Sequence, residues 1–150
     1  MADHVAVHEA GPAVPLRPGL FEGDAGGRLR LVGTRCEACG ARFFPRRRIC
    51  ARCRSSATST VPLSTRGILY TYTTVYQSTP AFATPYVLAY ADLPEGVRLL
   101  AQLVTAPGDV RIGMPVELRV EPVGVNAEGR PVLGYRFHPA QPEKSETRDG

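Results

Sequence analysis

Apolar and polar residues alternate in short runs along this chain, and the period of two predicts strands rather than helices. Arg28, Leu29, Arg30 and Leu31 alternate basic with apolar side chains, so 28–34 reads as a strand leading into the first cysteines. Five further runs, 67–76, 86–92, 97–105, 115–122 and 132–138, are rich in β-branched and aromatic residues and are bounded by Gly, Pro or Asp. In the first of them Ile68, Tyr70, Tyr72, Thr74 and Tyr76 alternate with Leu69, Thr71, Thr73 and Val75, the pattern of a curved strand that serves two sides of a barrel.

Five such strands predict a small OB-fold barrel, the economical closed sheet for this number. The 14 prolines and 15 glycines leave long helices no room. The fold class is therefore mainly β, with an N-terminal four-cysteine zinc ribbon followed by a five-stranded OB-fold barrel. The expected organisation is a flexible N-terminal arm over 1–19, a rubredoxin-like ribbon over 20–60, the barrel over 61–139 and a disordered tail over 140–150. Within the ribbon, 54–60 is rich in Ser and Thr and reads as its exit linker.

The strongest chemical signal is Cys36, Cys39, Cys50 and Cys53, spaced C-x2-C-x10-C-x2-C. A two-residue gap lets a tight turn aim both sulfurs at one ion, and two such knuckles complete a tetrahedron suited to zinc. Iron in a rubredoxin-like site fits the same spacing. Four protein ligands leave no position for water or substrate, so the site is structural. No run is long enough to span a membrane, and Met1 to Pro18 lacks the basic region followed by an apolar core of a signal peptide, so a cytoplasmic location is expected. There, four cysteines are metal ligands rather than disulfides.

Charge is uneven. Residues 28–66 hold ten arginines and one acid, Glu37, a net of +9 in a chain whose total is +4. Seventeen of the 18 basic residues are Arg, a bias that explains the choice of Arg but not the clustering. Between the cysteine pairs, Phe43, Phe44 and Pro45 are expected to cover the metal and the small ribbon core. Arg46, Arg47 and Arg48 point outward, either as a solvated turn or toward phosphate or an acidic partner surface. The loop 77–85 carries Phe82 at an apolar tip, a candidate contact surface with Tyr86 beside it. His4, His8 and His138 read as structural or solvated. Phosphate loops, nucleophile elbows and paired carboxylates are absent, so the sequence offers no nucleophile and base of its own.

The ribbon spacing together with Gly67-Ile-Leu-Tyr-Thr-Tyr-Thr73, Phe82 followed by Pro85-Tyr86, Glu95-Gly-Val-Arg-Leu-Leu100 and Val110-Arg-Ile-Gly-Met-Pro-Val116 resembles the acyl-CoA-associated zinc-ribbon/OB-fold proteins of domain of unknown function 35. The resemblance covers roughly residues 20–138. It implies a non-catalytic accessory subunit that binds a thiolase-fold catalytic partner (thiolase, acyltransferase or aldolase), helps form its acyl-CoA site, and shares a coenzyme A thioester with it. Two departures stand out. The family opens with an aromatic-led helix, whereas 20–28 contains three glycines and makes a poor one. The second knuckle usually ends Cys-Gly, whereas Arg54 follows Cys53 and must accept the backbone conformation that glycine served.

The alternative is a single-stranded nucleic-acid-binding module, since ribbons and OB barrels both bind such strands. The barrel segment 67–138 disfavours it, with five basic residues against six acids. A stand-alone enzyme is the third reading, weakened by the missing nucleophile.

Overall fold

The computed structural model describes residues 12–23, 26 and 28–141. Its strands are β1 (Val14–Pro15), β2 (Phe21–Gly23), β3 (Leu29–Cys36), β4 (Arg42–Phe43), β5 (Thr58–Pro62), β6 (Arg66–Val75), β7 (Tyr86–Asp92), β8 (Arg98–Leu103), β9 (Pro115–Val125) and β10 (Pro131–Pro139), with one 3-10 turn at Pro107–Asp109. Among the described residues no helix is long and apolar enough to cross a membrane. His4, His8 and the tail from 142 onward lie outside the described residues, as does the first part of the arm, 1–11.

The five strands read from alternation form the barrel. Hydrogen bonding runs β10–β8–β7–β6–β9, and the pairing of β9 with β10 closes the ring. All neighbours are antiparallel except β8 and β10, which meet in parallel at Leu103 and Phe137. The inward side chains, Leu69, Val87, Ala89, Ala91, Leu99, Leu103, Val116 and Phe137, form one buried cluster. Phe137 is fully buried at its centre. Alanine at 89, 91 and 101 keeps the inner faces of β7 and β8 narrow, which leaves room for that ring. At the start of β6, Gly67 passes so close to β7 that a Cβ would lie 2.8 Å from the Asp92 carbonyl oxygen.

The ribbon sheet is organised on β3. Its first half pairs with β2, and its second half pairs with β4 on one edge and β5 on the other. Two local differences from the sequence reading follow. The Ser/Thr-rich stretch expected as a linker becomes a strand from Thr58 on, because Thr58–Pro62 finds the free edge of Val32–Cys36. Where the family opens with a helix, 20–28 here includes strand β2, in keeping with its glycines. Residues 12–16 run along the barrel: β1 lies parallel to Val132 and Leu133 of β10, and the Leu16 amide donates to the Leu133 carbonyl at 2.7 Å.

Ribbon and barrel meet at Leu63 and Ser64. Arg30 Nη2 on β3 donates to the Leu63 carbonyl at 2.6 Å, and the Ser64 amide donates to Glu95 Oε2 on the β7–β8 turn at 2.7 Å. Leu63 itself is buried in the barrel cluster with Leu31.

Gly33 tests the centrality of β3, because a Cβ there would strike the Phe43 carbonyl oxygen of β4 and sit 3.2 Å from Leu63 Cδ2. Gly33→Ala is expected to lose about 1–3 kcal/mol in urea unfolding. Gly23→Ala, where a Cβ meets nothing within 4 Å, is expected to stay within about 0.5 kcal/mol of the parent.

Candidate metal centre and anion recess

β3 delivers Cys36 at its last position, and the chain then turns so that the Gly40 amide donates to the Cys36 carbonyl at 2.8 Å. The second knuckle repeats the device, with the Arg54 amide donating to the Cys50 carbonyl at 3.0 Å. The residue closing each turn is left-handed, Gly40 at φ +80° and Arg54 at φ +67°. Arg54 thus occupies the conformation that a glycine serves in the first knuckle, as its position after Cys53 led one to expect. A non-glycine residue pays roughly 1–2 kcal/mol for it.

The four sulfurs converge. Cys36 Sγ lies 3.6 Å from Cys53 Sγ and Cys39 Sγ lies 3.7 Å from Cys50 Sγ, with all four within 4.8 Å of one another. A tetrahedron with zinc–sulfur bonds of about 2.3 Å has edges of about 3.8 Å, so the donor set and its spacing fit a zinc ion. Amides of Arg52 and Cys53 donate to Cys50 Sγ at 3.2 and 3.3 Å, which favours a thiolate there.

These surroundings divide the protons unevenly. Burial opposes charge on Cys50, but the amides of Cys53 and Arg52 and the neighbouring thiols outweigh it and bring its pKa down to about 6. The amide of Cys39 lowers Cys36 in the same way. At Cys53 the Ser55 amide favours the thiolate, yet the sulfur of Cys36, burial and the other two thiols push it up to about 11. Four thiolates without a cation repel one another, so the last proton stays until a metal displaces it.

The loop between the pairs is fastened at its middle. Buried Thr34 of β3 accepts the Arg47 amide on its hydroxyl at 2.8 Å. Phe43 lies under the Arg47 guanidinium, 5.8 Å from ring centroid to Cζ. Phe44, expected to cover the metal, turns to the barrel instead and meets Tyr135 edge to face at 5.7 Å. The barrel core offers more apolar area than a ribbon this small.

Arg46, Arg47 and Arg48 wall a recess of about 490 Å³ together with Arg17 of the arm. All four are exposed, and among the described residues none of the four has a carboxylate in ion-pair range. Phe82 does not join this recess. It lies 50% exposed on the 77–85 loop, 6.1 Å from the Tyr86 ring, and lines a separate cleft of about 560 Å³ between β8 and β10. Sequence reasoning missed Arg17, assigned to the arm, and missed this cleft. Charge clustering could have suggested Arg17, whereas the cleft depends on which strands become neighbours. On the barrel, Arg98, Arg119 and Arg136 are paired with Asp92, Glu117 and Glu121. Pairing consumes much of the charge that a nucleic-acid face would use.

Fold and cluster define a two-part protein of the zinc-ribbon/OB-fold class. Sequence families match each part: the rubredoxin-like zinc ribbon domain of ChsH2 over residues 24–59 and the C-terminal OB-fold domain of ChsH2 over residues 60–121. The chain is 41% identical over 121 residues to the benzoylsuccinyl-CoA thiolase subunit BbsA of Thauera aromatica, covering 80% of this chain and 84% of that protein. It is 38% identical over 119 residues to a DUF35 domain-containing scaffold protein of Methanocaldococcus jannaschii, covering 76% and 84%. Among solved structures, the Ltp2-ChsH2(DUF35) aldolase is similar with a TM-score of 0.63 and 37% identity, covering 73% of this chain and 84% of that one. The chain belongs to the ChsH2/DUF35 family of zinc-ribbon/OB-fold proteins.

Two outcomes are expected. Metal binding to the stripped chain releases protons at neutral pH, read by calorimetry in buffers of different ionisation enthalpy, because Cys53 keeps its proton until a metal displaces it, and metal retention falls as the solution is acidified and protons compete for the thiolates. Retention unchanged down to pH 4 contradicts the thiolate cluster. Separately, Arg54→Gly raises unfolding stability of the metal-loaded chain by about 1 kcal/mol.

Proposed function

We propose that this protein is a non-catalytic accessory subunit that binds a thiolase-fold enzyme and helps form its acyl-CoA site. One observation carries the reading: the similarity to a thiolase subunit extends over 121 residues, through ribbon and barrel alike. Between them the two parts supply a basic recess and an apolar surface but, among the described residues, no His or Cys poised beside a nucleophile. Charge and shape for binding without the groups for bond-making suit a subunit that completes another protein's site.

In this reading Cys36, Cys39, Cys50 and Cys53 hold one structural zinc. Bound zinc supplies cross-linking rather than Lewis-acid chemistry, because four sulfurs fill its coordination shell. Arg46, Arg47 and Arg48 bind anionic groups of a coenzyme A thioester, whose nucleotide end carries phosphates that guanidinium groups match in geometry and charge. Phe82 and Tyr86 contribute apolar contact to the partner or to the thioester. In the same reading the chain is organised as an arm, a ribbon to about residue 60, a barrel and a tail, and the protein works in the cytoplasm.

Affinity purification from the native host, followed by mass spectrometry, is expected to recover a thiolase-fold protein with one zinc per chain. Recovery of nucleic acid without such a protein contradicts the proposal. With the complex in hand, replacing Arg46, Arg47 and Arg48 together by Ser is expected to weaken thioester affinity at least about tenfold, and more steeply at low ionic strength.

A further inference from the structure

β6 is paired on both sides only over its first residues. It meets β9 from Arg66 to Ile68, and the Leu69 amide and carbonyl bond Met114 and Gly113 just beyond. From Tyr70 to Val75 it keeps β7 on one side, while among the described residues no strand pairs with the other. Tyr70, Thr71, Tyr72 and Thr73 are all exposed along this free edge. The register decides which backbone groups the edge offers. Because Leu69 turns its groups to β9, Ala91 opposite it turns to β8, in step with Leu93, whose amide bonds Val97. Tyr90 and Leu88 then turn to β6. Leu69 lies opposite Ala91 and Thr71 opposite Tyr90, so Tyr70 is the extra residue of a bulge. Thr71 and Thr73 therefore bond β7, and Tyr72 and Thr74 turn amide and carbonyl outward.

The side chains around this edge carry no charge. Residues 67–91 contain no Asp, Glu, Lys, Arg or His. On the other barrel strands Arg98, Glu117, Arg119, Glu121 and Arg136 form ion pairs at the surface. Soluble proteins blunt a free strand edge with charge, proline or a bulge. Past the bulge, Thr71-Tyr-Thr-Thr-Val75 has neither charge nor proline and consists of the residue types that favour strand pairing. The tail 142–150, with Glu143, Lys144, Glu146, Arg148 and Asp149, is a poor match for such an edge. A second β6 is a good one. It brings no like charges together, and mutual pairing consumes the edge of both copies, so the assembly closes at two.

We propose that two copies of this chain pair antiparallel along β6, across a two-fold axis at Thr73. Tyr72 then exchanges both backbone bonds with Thr74 of the second copy, and Thr74 does so with its Tyr72. Thr73 faces its own copy in a pair without backbone bonds, where side chains approach most closely. Thr71 faces Val75 and Tyr70 faces Tyr76. Tyr70, Tyr72 and Tyr76 are 49%, 37% and 70% exposed, and covering them removes roughly 250–400 Å² per copy. With the strands themselves the pairing buries on the order of 1,000 Å² in total, the lower end for a specific interface, so the dimer dissociates on dilution. Pairing of this kind requires nothing of the acyl-CoA site.

The test is light scattering on the zinc-loaded full chain between about 1 and 100 µM, joined to hydrogen exchange of the same samples. The mass is expected to double toward the upper end, and exchange over 70–76 to slow at least about fivefold with it. Thr73→Lys and Thr73→Glu, at an exposed position, are each expected to stay monomeric, whereas their equimolar mixture recovers the dimer because ammonium and carboxylate meet across the axis. Circular dichroism and metal content check folding, and exchange on the parent needs no variant. A parent that stays monomeric overturns the proposal, including one whose 70–76 amides are protected at every concentration by another segment of the chain. So does a dimer that persists in both single variants, or a mixture that stays monomeric. None of these results touches the accessory-subunit reading, which falls only if no thiolase-fold partner is recovered.

Discussion

The convergence of four sulfurs on one point is the constraint on which the rest of the ribbon depends. Its buried side chains are few, chiefly Leu31, Val32, Thr34, Cys36 and Cys50, too small a core to hold a sheet of short strands. The cluster ties the end of β3 to the knuckle at Cys50–Cys53 and so fixes both ends of the loop between the pairs. Thr34 fixes its middle through the Arg47 amide. With three points held, the loop can seat Phe44 on the barrel and present Arg46, Arg47 and Arg48 to solvent without paired carboxylates. The four-cysteine cluster thus determines where the charges stand.

The barrel contributes the complementary surface. Closing five strands with one parallel contact leaves a short gap between β8 and β10, and the arm crosses its lower end. Ribbon and barrel are kept in register by Arg30 and Glu95, which grip Leu63 and Ser64 from the two sides. Among the described residues Arg30 Nε and Glu95 Oε1 are buried there without protein partners, a polar junction that a bridging water can complete. Phe44 of the loop between the cysteine pairs and Tyr135 of β10 touch edge to face, a further contact between ribbon and barrel.

Much of this was legible in the residues. Alternation marked β3 and all five barrel strands, with Tyr86–Asp92 matching at both ends and the others shifting by one to three residues. The cysteine spacing identified the cluster, and Arg54 after Cys53 marked a strained turn. What escaped has a common physical cause. β1, β2, β4 and β5 are two to five residues long and exist because a neighbouring strand supplies an edge, information that lies far away in the chain. Phe44 read as ribbon core because it sits between cysteines, whereas the larger apolar surface lay on the barrel. The cleft gathers residues from 16 to 136 and no local pattern encodes it.

In the proposed accessory role the binding surfaces belong to this chain and the bond-making groups to its partner. The most direct measurement is turnover of acyl-CoA thioesters by the purified zinc-loaded chain, by its isolated thiolase-fold partner, and by the two combined. The account predicts no turnover by the chain alone and full activity only in the combination, abolished by substitution of the partner's nucleophile. Turnover by the chain alone, lost on a single substitution outside the four cysteines, would contradict it.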